Sequence, residues 1–184
     1  MEYIECRMDS IQIQYYKSPF GELILGSYED QLCICDWRYR RMRSSIDKRI
    51  MEGLKANYLE GKSTVAETAI CQLEEYFARD RKEFSLQLLL VGTAFQQKIW
   101  NELINIPYGV TESYLGLSHK IKNVKAIRAV AAANGANALS IFVPCHRIVG
   151  SKGEMIGYAG GKEVKKKLLQ LEQALPLDNQ LELF

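Results

Sequence analysis

KAIRAVAAANGANALSIFVPCHRIV, residues 125–149, is the stretch on which the reading of this 184-residue chain turns. It begins as a helix of mostly small side chains, Ala126, Ala129, Ala131, Ala132 and Ala133, with Lys125 and Arg128 pointing outward. The run Asn134-Gly135-Ala136-Asn137 breaks that helix, because asparagine and glycine favour turns. An apolar strand is predicted over 139–143. Pro144 ends it by withholding a ladder donor, which leaves the Cys145 thiol at a rim beside His146 and Arg147.

Upstream, Ser113 opens a short helix to about Ile121, Lys122 and Asn123 make a turn, and the second helix runs from Val124 to about Asn134. Two short helices joined tightly, the second carrying outward basic residues, have the form of a helix-turn-helix. Before them Thr93 caps a helix with Phe95, Ile99, Trp100 and Leu103 at helical spacing, and Pro107-Tyr108-Gly109 ends it. Downstream, Ile148 and Val149 pair with Met155 and Ile156 in a predicted hairpin around 150–153. The loop 157–161 then leads into a last helix from Lys162 to about Ala174.

The first half has a different texture. IQIQYY (11–16), GELILGSY (21–28) and QLCICDW (31–37) are short alternating runs separated by turn residues, the pattern of a β-meander, with Cys33 and Cys35 on one face. Helices are expected around 45–60 and 64–79, followed by a last strand, FSLQLLL, at 84–90. No catalytic grouping stands out, so this half is read as support. The fold expected is α+β, with residues 1–91 packed on a mainly helical unit, 92–184.

Composition narrows the function. Residues 92–172 carry eleven Lys and Arg against five Asp and Glu, whereas 1–91 carry thirteen against fifteen, so the second half is the one to meet an anion. No apolar run nears the roughly 20 residues a bilayer requires, and MEYIECRMDS lacks the order of a signal peptide, which makes a soluble cytoplasmic protein the expectation, nuclear in a eukaryote. Five irregularly spaced cysteines speak against a disulfide scaffold. Without a CxxC pair, and with His119 and His146 as the only histidines, no metal site is expected.

Cys145 differs from the other cysteines by its neighbours. The thiolate is the reactive form, and an adjoining imidazole and guanidinium both favour it. Adjacent strand residues point to opposite faces, so His146 reaches Cys145 only if the chain bends or a water relays the proton. A helix with a small outer face can approach a DNA backbone or minor groove closely, and Arg128 projecting from it could fill the gap left by an extruded base. The glycine-rich 157–161 loop lacks a following GK[ST] and fits a wall of the base pocket better than a phosphate cradle.

Seven blocks, GTAFQQKIW, IPYG, SY, KAIRAVAAANGAN, IFVPCHRIV, GYAGG and KKLLQLE, together resemble the O6-alkylguanine-DNA alkyltransferase family in their order across about 92–172. The resemblance implies an RNase H-like α/β N-terminal domain, Cys145 as alkyl acceptor, His146 drawing off its proton through a water, and Glu172 polarising His146. It implies Tyr114 as proton source for the departing base, Arg128 as intercalating finger, Asn137 as hinge, and Asn123, Ser151 and Lys125 as DNA contacts. Tyr158, Ala159, Gly160, Val143 and Pro144 are implied as the base pocket. The activity implied is irreversible, single-turnover repair of O6-alkylguanine, and less well O4-alkylthymine, in double-stranded DNA, by a monomer with no cofactor. Ala138 stands where proline usually follows the asparagine, and Ala159 where some relatives carry serine.

Three other classes fit parts of the pattern. A lesion sensor of the alkyltransferase-like kind binds damage without the acceptor cysteine, a thiol hydrolase would turn over small esters without DNA, and a transcription regulator would prefer one DNA sequence.

Overall fold

Alternating side chains in the first three runs produce a sheet that is covered on both faces. β1 (Ser10–Ser18), β2 (Gly21–Tyr28) and β3 (Gln31–Trp37) form the expected antiparallel meander. The computed structural model describes residues 10–176, and Cys6 lies outside them.

The helix expected to reach residue 60 stops early. α1 (Arg43–Leu54) is closed by Lys55 in the left-handed conformation at φ 52°, and the chain returns as β4 (Asn57–Glu60). β4 joins the free edge of β1 in parallel, so the strand order is β3-β2-β1-β4 and the sheet is mixed rather than antiparallel. Tyr58 ties β4 back to α1 by donating to Asp47 Oδ1 at 2.9 Å.

α1 buries Ile46 and Ile50 against Ile11, Ile13, Ile24 and Ile34 on one face. α2 (Thr64–Phe77), capped by Ser63, buries Ala66, Ala69, Leu73 and Tyr76 against Leu23, Leu25 and Leu32 on the other. Each buried Ile or Leu among them contributes about 1.5–3 kcal/mol. Cys33 and Cys35 do not share a face as alternation predicts. The pairing slips between Gly26 and Ser27, leaving Cys33 as an extra residue that packs with the α1 layer while Cys35 packs with the α2 layer.

The outer edge of β3 is where the second half attaches. Leu32 donates to Gln87 O and accepts from Leu89 N, both at 2.9 Å, a single bridge where a full strand over 84–90 is predicted. Three residues on, Cys35 N donates to Ala138 O at 2.9 Å. The segment leading to Cys145 is thereby docked on the N-terminal sheet.

In the second half α3 (Ala94–Ile104) starts with a Thr93–Gln96 capping box. α4 (Tyr114–Lys120) is capped by Ser113, and α5 (Ile127–Gly135) follows a turn with Lys122 at φ 59° and a 3₁₀ start over Val124–Ala126. This is the expected helix-turn-helix. The Trp100 indole locks it to α3 by donating to Ala133 O at 2.9 Å. α6 (Lys162–Leu171) ends earlier than predicted.

Two predicted strands are absent. Residues 139–143 form a tight turn with Ile141 at φ 75° and Val143 N donating to Leu139 O at 2.8 Å, because docking on β3 ends at Leu139 and the chain must reverse into Cys145. The 148–156 hairpin does not form either. β6 (Ile148–Val149) instead pairs in parallel with β5 (Glu112–Ser113), which brings the start of α4 beside the cysteine. Among the described residues no helix is long and apolar enough to cross a membrane.

Gly26 sits at the β2–β3 irregularity with its Cα facing Ile34. An added Cβ would lie 2.2 Å from Ile34 Cγ2 and 3.2 Å from Ile13 Cγ2. Gly26→Ala should therefore lower stability by about 1–3 kcal/mol, read as a reduced urea midpoint with an unchanged m-value.

Candidate active site

Pro144 is followed by a 3₁₀ turn over Cys145–Arg147, so the chain bends where a strand would have pointed successive side chains apart. Cys145, only 3 % exposed, lies in the floor of a cavity of about 630 Å³ instead of at a rim. Its sulfur accepts a hydrogen bond from Asn137 Nδ2 at 3.1 Å. The same amide nitrogen donates to Val143 O at 2.8 Å, and Asn137 Oδ1 accepts from Leu139 N at 2.9 Å. Asn137 thus spans the tight turn and holds the sulfur at its far end.

His146, the next residue, is fully buried, with Nε2 2.9 Å from Glu172 Oε1. Glu172, at the C-cap of α6, also accepts the Tyr76 hydroxyl at 2.7 Å, Arg147 Nε and Nη2 at 2.9 Å each, and Gly109 N at 3.3 Å. Burial alone would raise this carboxyl, but hydrogen bonds and charge from His146 and Arg147 hold it well below the ordinary carboxylate range. An ionised Glu172 accepts the Nε2 proton, which leaves Nδ1 as the basic nitrogen. Nδ1 is buried and has no hydrogen-bond partner among the described residues. Burial lowers the imidazole's pKa, with Glu172 opposing, so His146 is neutral near pH 7 and able to take a proton.

The Arg147 guanidinium is spent on Glu172 and on Ile106 O, so it does not stand beside the sulfur as the sequence suggests. Burial raises the Cys145 thiol above its ordinary value, and the bond from Asn137 only partly offsets this. The resting group is a thiol that requires a base.

Tyr114, Arg128, Ser151, Tyr158 and Ala159 line the cavity with Cys145. Tyr114 is the first residue of α4, and its phenol is raised by burial and by Cys145 while a hydrogen bond from Asn134 pulls it down. Arg128 is exposed on α5 at the mouth, with Ala129, Ala131 and Ala132 exposed around it. Asn123 and Lys125 are exposed on the turn before α5, away from the cavity wall. Three expected pocket residues lie elsewhere. Gly160 packs on Trp37, Val143 is fully buried, and Pro144 faces a separate cavity beside Phe142 and Tyr108.

Several participants gave no sequence signal. Tyr76 reaches Glu172 from α2, 96 positions away. Arg40, Arg41 and Met42, following β3, form one cavity wall, so the first half is more than support. Met42, Leu115, Ile127 and Ile156 give the mouth an apolar collar, each at least 37 % exposed. The fully buried Lys165 donates to the carbonyls of Ile148 and Ile156 and fastens the loop bearing Tyr158 to α6; burial pushes its ammonium down to about 8. Helical spacing could have marked Tyr76 and Lys165 as inward-facing, but their partners come from other elements.

Residues 11–90 match the 6-O-methylguanine DNA methyltransferase ribonuclease-like domain, and residues 94–174 match the DNA binding domain of the same family. The constitutive methylated-DNA–protein-cysteine methyltransferase of Bacillus subtilis is 42 % identical over 167 residues, covering 88 % of this chain and 96 % of its own. The Mycobacterium leprae protein of that name is 40 % identical over 159 residues, covering 85 % and 88 %. The crystal structure of Mycobacterium tuberculosis OGT in complex with DNA superposes with a TM-score of 0.77 at 35 % identity, over 89 % of this chain and 93 % of the other. With both domain models matched from residue 11 to residue 174, and relatives of 40–42 % identity over most of its length, the chain belongs to the 6-O-methylguanine DNA methyltransferase family.

Proposed function

We propose that this protein repairs DNA by direct reversal, moving an alkyl group from O6 of guanine in a duplex onto Cys145, once per molecule. The observation that carries this reading is the buried Cys145 sulfur lining the Arg128-bearing cavity, followed in the chain by a buried His146 held by Glu172. Duplex DNA is received by α4 and α5, with Asn123, Lys125 and Ser151 on the backbone and Arg128 in the gap left by the extruded nucleotide. The small face of α5 permits that close approach.

His146 Nδ1 takes the thiol proton through a water, and Glu172 stabilises the imidazolium that results. The thiolate attacks the alkyl carbon in line with the bond to O6, a sulfur–carbon bond forms, and the carbon–oxygen pair passes to the base. Tyr114 supplies a proton to the leaving purine. The product is a thioether, which no group in the cavity can cleave, so each molecule acts once and uses no cofactor. Thymine O4 adducts are poorer substrates of the same pocket. The protein acts as a monomer inside the cell.

Incubation with a duplex carrying [³H]methyl on O6 of guanine should leave at most one label per protein, on the Cys145 peptide. Label retained by Cys145→Ala, or repeated turnover, would overturn the assignment. Because the His146 pKa is lowered, the transfer rate should hold as pH falls through 6.5 and decline only at lower pH, where the imidazole gains its proton. Glu172→Gln removes a buried charge that faces Arg147, and should cost about 3–5 kcal/mol of stability together with a slower transfer step. A carboxyl held below its ordinary value of 4.5 binds fewer protons folded than unfolded, so its contribution is present above that pH and lost below it. Acid unfolding should accordingly be less steep in the Gln variant than in the parent.

A further inference from the structure

The turn at 135–137 is held from outside by two arginines of the first half. Arg40, only 8 % exposed, sends Nη1 to Asn137 O at 2.8 Å and Nη2 to Gly135 O at 2.5 Å. Arg49 Nη2 donates to the carbonyl between them, Ala136 O, at 2.8 Å. Three successive carbonyls are therefore gripped by guanidinium groups. Arg40 is itself fixed by Asp36, whose Oδ2 lies 2.7 Å from Arg40 Nη1 and 3.0 Å from Arg43 Nη1. Asp36 Oδ1 accepts the Ser140 hydroxyl at 3.1 Å, from the other side of the same turn.

Nothing covalent stiffens this turn. Position 138 is alanine, outside the left-handed region, and no hydrogen bond from its N–H is formed among the described residues. Yet the turn carries Asn137, whose amide touches both Val143 O and the Cys145 sulfur. A shift of the Asn137 backbone moves its amide off the sulfur.

We propose that Arg40 is a positioning residue for alkyl transfer: by bridging the carbonyls of Gly135 and Asn137 from the first half, it keeps the Asn137 amide on the Cys145 sulfur. Its planar fork is suited to this, since two donors in fixed relation set the separation of two acceptors, whereas an ammonium offers one point of charge. The proposal rests on Cys145 being the reactive group, and it assigns the first half a part in the chemical step. Arg40 also lies close enough to Cys145 for its charge to favour the thiolate.

Arg40→Lys tests this while leaving Asp36 with a cation. Alkylation of Cys145 by iodoacetamide, followed across pH, reads the state of the sulfur without DNA, so its result stands even if the DNA reaction is absent from the parent. The groups whose charge or hydrogen bonds reach Cys145 are Asp36 and Arg40 from the first half, Asn137, Tyr114, Tyr158, and Lys165 of α6, with His146 next to it in sequence. The Lys variant leaves all of these but Arg40 in place. Its iodoacetamide profile should move to higher pH, and its single-turnover transfer from O6-methylguanine DNA should slow by about 10- to 100-fold with duplex affinity retained. Adding Ala138→Pro restrains the same turn through the backbone, and should return the profile and the rate toward those of the parent. Ala138→Pro alone should behave as the parent. A Lys variant with the parental pH profile and rate would overturn the proposal, as would a double variant in which proline restores neither.

Discussion

The carboxylate of Glu172, 1 % exposed, is the point through which the rest of the site is held together. An ion buried so deeply is tolerated only when donors replace the water it has lost. Here five hydrogen bonds do so, from Tyr76 of α2, His146 and Arg147 of the 3₁₀ turn, and Gly109 after α3. Both halves of the chain and the end of α6 must arrive together for the charge to be neutralised. One of the five, from His146, orients the imidazole ring with Nε2 on Glu172 and the basic Nδ1 turned away from it. Stability and reactivity thus share one set of bonds.

The outer edge of β3 sets the depth of the sulfur. Strand edges left open are a liability, and this one is closed first by the 87–89 linker and then by Ala138. Docking Ala138 there forces the chain to reverse through Ile141 at a positive φ before it can reach Cys145. A β-branched residue in that conformation is costly and persists only where its surroundings over-determine it. The surroundings are the Asn137 span, the Arg40 and Arg49 grip, and the Asp36–Ser140 bond. Buried sulfur, raised thiol and dependence on a base all follow from that reversal.

Much of this was readable from residue types. The β-meander follows from period-two alternation and the helix pair from Ser113, the Lys122-Asn123 turn and the small-residue run, while Cys145 is set apart by Pro144 and His146 but given a role only by the family resemblance. Elements governed by distant partners leave no such local signal. α1 looked continuous to residue 60 because nothing local shows that β1 offers a free edge to β4. The 139–143 run looked like a strand because its apolar side chains are buried, yet burial comes from docking and reversal rather than from pairing. Alternation puts Cys33 and Cys35 on one face because a slip in register leaves no mark in the strand that slips.

What the sequence determines by itself is local: which runs can be helix, strand or turn, and which residue types could ionise or carry charge, since those properties belong to side chains and their near neighbours. Only the tertiary structure decided that Arg147 serves Glu172 instead of the thiol, that Tyr76 and Arg40 reach across from the first half, and that Gly160, Val143 and Pro144 stand outside the cavity. Such pairings join residues dozens of positions apart. A charged or polar group's partner is chosen by where burial leaves it without water, and that is a property of the assembled core.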